Sequence, residues 1–152
     1  MVNYIYPTSR MLKDSGKGAN MLKILLVSPD KSALSGLASA WTESGDVDLM
    51  WAKSGKMALG IASDTAIDLV VTDEQLGDMT GLEFAGKLLG VNPMINCASV
   101  NHLPPEAFHE ASEGLGLMAQ LPVHPGKEHA EELLQRLKHI KSLTGGAKGD
   151  IT

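Results

Sequence analysis

The segment VVTDEQLGDMTGLEF, residues 70–84, sets an acid directly behind an apolar run. Asp73 follows Val70, Val71 and Thr72, and Gly81 comes eight residues later, at the start of an apolar helical pattern. Such a carboxylate is either a reactive group at the end of a buried strand or a turn residue accepting local N–H bonds. Glu74 and Asp78 add negative charge beside it and read as solvated loop acids. Other chemistries find less footing. The five histidines, His102, His109, His124, His129 and His139, show no metal-ligand spacing with a cysteine or a second close histidine. They read as surface residues. Cys97, the one cysteine, falls on an apolar run and reads as a small core residue. No Ser/His/Asp arrangement or nucleophile elbow is visible. GLGL, residues 114–117, precedes an apolar run instead of following one, so it is no dinucleotide loop.

The elements that would position Asp73 alternate along the chain. LKILLV (22–27), VDLMWA (47–52), IDLVVT (67–72), MINCAS (94–99) and LMAQL (117–121) are short apolar runs of the kind found in strands buried on both faces. Between them lie helical patterns. Ala33, Leu34, Leu37 and Trp41 recur at helical spacing, with Asp30 or Ser32 as cap and Gly45 as stop. Ser54 can cap a short helix over 54–65. Leu82, Ala85, Leu88 and Leu89 form a third stripe after Thr80, and Pro105 suits the first turn of a fourth helix. The last helix carries Glu128, Glu131 and Glu132 early and Arg136, Lys138 and Lys141 late, the order the helix dipole favours. Five strands alternating with five helices predict an α/β fold, a doubly wound five-stranded parallel sheet. In such sheets ligands meet the carboxyl ends of the strands, here Ser28-Pro29-Asp30, Asp73-Glu74, Ala98-Ser99 and Leu121-Pro122.

Composition narrows the class. With 152 residues, 43% hydrophobic and 20% charged, the chain suits one globular domain. A net charge of -5 and the lack of any basic run argue against nucleic acid as a partner. A lone cysteine leaves no internal disulfide and fits a reducing cytoplasm. No stretch reaches the roughly 18 apolar residues of a membrane span. Residues 1–20, which hold both tyrosines, read as a flexible extension or artefact, residues 21–143 as the folded domain, and residues 144–152 as a disordered tail.

Over residues 22–143 the sequence resembles the receiver domains of bacterial two-component response regulators. IDLVVTDEQLGDMTGLEF resembles that family's third strand, phosphoacceptor Asp and following loop, with Gly81 at the family's glycine position. VNPMIN resembles the approach to strand four, and LPVHPGKEHAEELLQRL the turn and last helix. The resemblance implies a flavodoxin-like sheet of order 2-1-3-4-5. It implies Asp73 as the phosphoacceptor position, and a site in which Mg2+ is held by an acidic pair after strand one. A hydroxyl after strand four and a lysine after strand five would bind phosphoryl oxygens.

The sequence departs from that pattern at most of these places. Ser28 and Pro29 stand at the acidic pair, Ala98 at the hydroxyl, Leu121 at the lysine, Met118 at the aromatic switch position, and Gly77 where the loop usually has proline. The expectation is therefore a stand-alone, pseudo-receiver-like module with no DNA-binding output domain and no enzymatic activity. It would act in phosphorelay signalling with weak or absent phosphorylation, docking a protein partner through 104–121 and 127–143, as a monomer or weak dimer. No resident cofactor is expected, and Mg2+ only weakly. An alternative is a weakly phosphorylatable receiver using Asp73, helped by a partial site of Asp30, Glu74 and Ser99. A flavodoxin-like cofactor binder is a third reading; VSPDKSALSG offers Ser28 and Ser32 but not the density of a phosphate-cradling loop.

Overall fold

A computed structural model describes the backbone of residues 21–151 and the side chains of residues 21–143. The extension expected over 1–20 lies outside the described residues. Five strands form one parallel sheet in the order β2-β1-β3-β4-β5. They are β1 Leu22–Val27, β2 Val47–Ala52, β3 Leu69–Thr72, β4 Asn96–Val100 and β5 Ala119–Leu121. The helices are α1 Ser35–Ser44, α2 Gly55–Asp64, α3 Gly81–Val91, α4 Pro105–Ala111 and α5 Lys127–Ile151, with a 3-10 turn over Lys31–Leu34 leading into α1. This is the flavodoxin-like order.

Alternation within the strands divides the core in two. Leu22, Ile24, Leu26, Val71, Ala98 and Leu121 pack with Leu34, Leu37 and Trp41 and with Ala130, Leu133 and Leu137 of α5. Leu25, Val27, Val70 and Cys97 pack with Ala58 and Ala62 of α2 and Phe84, Ala85 and Leu88 of α3. Burial on both faces is why the central strands read as continuous apolar runs. Trp41 ties α1 to α5 by donating its indole N–H to the Ala130 carbonyl at 2.9 Å.

Helix ends follow local chemistry. Gly45 ends α1 in the left-handed region at φ 76°, and Ser54 accepts from the Met57 N–H at the start of α2. Thr80 and Glu83 form a reciprocal capping box at α3. Pro105 occupies the first turn of α4. β3 and β4 begin two residues later than the apolar runs suggest, and β5 keeps three residues, because pairing with the neighbouring strand, not hydrophobicity, sets a strand's ends. The backbone of α5 continues through 144–151, which composition alone reads as a tail. Glycines 145, 146 and 149 weaken a helix, but a helix already nucleated needs little to propagate.

Candidate functional site

Asp73 follows the last residue of β3 and is half-buried. Its main-chain N–H donates to the Val27 carbonyl at 2.9 Å, extending the β1–β3 ladder by one residue. The side chain is held by two neutral donors. The Ser28 hydroxyl lies 2.8 Å from Oδ2, and the Glu74 N–H donates to Oδ1 at 2.7 Å. Ser28 is 2% exposed. Its oxygen also lies 2.9 Å from the Asp30 carbonyl and accepts from the Asp30 N–H at 3.1 Å. A hydroxyl carries one proton, and the charged carboxylate is the stronger acceptor. Asp73 is thus held by the residue standing where the resemblance calls for an acid.

Gly81 is fixed by contact. A Cβ there would lie 2.4 Å from the Asp73 carbonyl oxygen and 3.3 Å from the Ser99 hydroxyl. The α3 N-terminus therefore approaches the end of β3 more closely than any other residue allows. The Gly81 N–H donates to the Glu74 carbonyl at 2.8 Å, closing the loop between them. Within that loop Gly77 has φ +88°, a conformation closed to the proline expected of the family pattern.

The remaining sequence-nominated residues do not converge on Asp73. Asp30 is exposed, and its Oδ1 accepts the Ser32 N–H at 3.0 Å and the Ser32 hydroxyl at 2.8 Å. These Ser32 bonds hold its carboxyl below its ordinary pKa, the hydroxyl contributing most. It caps the 3-10 turn. Ser99 is fully buried opposite Thr72, and its hydroxyl donates to the Val100 carbonyl at 3.1 Å. Ala98 lies in the core facing α1 and α5. Leu121 is 3% exposed in the same cluster, and Met118 is half-buried against it. Glu74 is engaged by His102: Oε1 accepts its main-chain N–H at 3.1 Å, and Oε2 pairs with its imidazole Nδ1.

Two of these contacts escape a reading of the sequence. The Glu74–His102 pair spans 28 residues, and sequence alone leaves both as solvated surface groups. Asp78, also read as a solvated acid, caps α2: its oxygens accept the Gly55 and Lys56 N–H groups, each at 2.9 Å. The Gly55 bond, then the Lys56 bond, holds its carboxyl below the usual range. The one available signal was position, since both acids sit in the loop leaving the central strand. Cys97 is buried as expected, and burial pushes its thiol up to about 12.

Nucleophilic attack by Asp73 on a phosphoryl donor would need positive charge on the transferring oxygens. Among the described residues neither the hydrogen bonds nor the ion pairs bring a Lys or Arg to Asp73. Mg2+ demands an oxygen set rich in charge. Asp73 offers a carboxylate, but Asp30 is committed to Ser32, Glu74 to His102, and Pro29 has none. The donor set is too sparse for a tight Mg2+ site.

No family model matches the sequence, and no curated protein matches it. Solved structures do. The chain is 21% identical to the chemotaxis response regulator CheY4 of Vibrio cholerae, with a TM-score of 0.68 over 77% of this chain and 98% of that one. It is 19% identical to the signal receiver domain of an HD domain-containing protein from Pseudomonas fluorescens Pf-5, with a TM-score of 0.71 over 83% and 93%. A response regulator receiver domain protein from Clostridium thermocellum aligns at 16% identity and a TM-score of 0.71, over 82% and 99%. The fold is that of response-regulator receiver domains. At these identities the likeness is one of fold, so what the chain does with it rests on its own residues.

Proposed function

We propose that the chain is an atypical receiver module of two-component signalling, acting by protein–protein contact with phosphorylation of Asp73 weak or absent. The observation that carries this reading is the company Asp73 keeps. A buried neutral hydroxyl, Ser28, holds its carboxylate, and an apolar residue, Leu121, fills the position where the resemblance calls for a lysine. Replacing a charge-assisted contact to the transferring group removes about 1.5–3 kcal/mol of stabilisation. Loss of the acidic metal ligands compounds it.

Such a module signals by docking. The surface proposed is 104–121 with 127–143, which includes α4, β5 and the described part of α5. The chain acts there as a monomer or weak dimer, in the cytoplasm, with no nucleic acid and no resident cofactor. Among the described residues no helix is long and apolar enough to cross a membrane. The test is intact-mass measurement after incubation with an acyl phosphate and Mg2+. An unchanged mass supports the proposal. Stoichiometric gain of one phosphoryl group, abolished by Asp73→Ala, replaces it with the weakly phosphorylatable reading.

A further inference from the structure

The loop leaving β4 is tied from both sides. Glu74 gives both carboxylate oxygens to His102, one to its main-chain N–H and one to its imidazole. From the β5 side, Gln120 Nε2 donates to the carbonyls of Asn101 at 3.1 Å and Leu103 at 2.7 Å. Asn101 Oδ1 accepts the Leu103 N–H at 2.9 Å, and the Asn101 N–H donates to the Leu121 carbonyl at 3.0 Å. Every main-chain N–H from 101 to 103 thus has a partner, on a stretch with no regular secondary structure. Of the three residues only His102 is exposed, and an N–H there would ordinarily be left to water. The far end of the Glu74 loop is anchored as well, since Asp78 caps α2 and Leu76 is 1% exposed in the core.

We infer that Glu74, His102 and Gln120 form a built-in lock that holds the β4–α4 loop in one arrangement without any group bound at Asp73. The crosspiece is Glu74, adjacent to Asp73 in sequence but bonded across to the next strand's loop. Two consequences follow. Glu74 is withdrawn as a cation ligand. The wall of the adjoining open groove of ≈ 490 Å³, lined by Asn101, His102 and Leu103 on one side and Gln120, Leu121 and Val123 on the other, is preset. The inference rests on the proposed reading of Asp73 only in treating the locked loop as the working state.

Hydrogen exchange on the full chain, with no phosphoryl donor present, tests the lock. The His102 and Leu103 amides should be protected, and Glu74→Ala should speed both by about tenfold, while Asp30→Ala leaves them unchanged. Gln120→Ala should speed Leu103, and Glu74→Gln, which keeps one acceptor, should fall between wild type and Glu74→Ala. His102→Ala should retain amide protection at position 102, because the main-chain bond to Glu74 remains. The lock is overturned if the two amides exchange at the rate of an unstructured peptide in the wild type. It is also overturned if Glu74→Ala leaves them unchanged, or if protection arises only on adding Mg2+ and beryllofluoride. Phosphorylation of Asp73 with these amides already protected beforehand would sink the silent-Asp73 reading and leave the lock standing.

Discussion

Ser28 is the residue on which the site turns. Its hydroxyl is nearly inaccessible and faces a carboxylate, so Ser28→Ala should leave Oδ2 of Asp73 without its donor. The expected loss is about 1–3 kcal/mol of stability, read from the denaturant midpoint at constant m-value. Cys97 makes a second prediction. With its thiol pushed up to about 12 by burial, native protein should resist alkylation at pH 8 and react once denaturant opens the fold. Asp30 and Asp78 contribute to the acid limb of stability. Both carboxyls titrate lower in the folded chain than in the unfolded one, Asp30 through Ser32 and Asp78 through the α2 N–H groups. Their contribution is therefore present above about pH 4 and lost as pH falls through their folded values. Asp78→Asn should flatten that loss in an acid titration followed by circular dichroism. At this scale the sequence disclosed Asp73, because an apolar strand, an acid and a glycine eight residues on lie within one short segment. It did not disclose Asp78 as a cap or Glu74 as a partner of His102. Those bonds join loops 22–28 residues apart, and no local pattern encodes them.

At the scale of elements, close approach decides what substitution costs. Gly81→Ala would place a methyl 2.4 Å from the Asp73 carbonyl, a main-chain atom that cannot move without shifting β3. Gly55→Ala would meet Met79 Sδ at 2.5 Å, the far part of a flexible side chain that can swing away. Gly81→Ala should therefore cost about 1–3 kcal/mol by overpacking, and Gly55→Ala clearly less, since alanine also favours the helix. Thermal melts of the two variants side by side check the order. β1 and β2 were fully legible, with bounds 22–27 and 47–52 as read, because their apolar runs and their pairing coincide. β5 was not, since Leu117 and Met118 continue the apolar run and pack against the core ahead of the paired residues, with the Met118 N–H reaching the Cys97 carbonyl of β4 at 2.8 Å.

At the scale of the whole molecule, the sheet order 2-1-3-4-5 sets the ends of β1 and β3 side by side, which is why Ser28 and Asp73 are neighbours at all. At that end of the sheet the Asp73 carboxylate is met by the Ser28 hydroxyl and the Glu74 N–H, and on the proposed reading these contacts stand in place of phosphoryl chemistry. The most direct measurement is a titration of the full chain with Mg2+ and beryllofluoride, followed by backbone amide chemical shifts. The account predicts no saturable change at Asp73, at the end of β4 or along β5. Saturable shifts centred on Asp73 and spreading into β4 and β5 would contradict it.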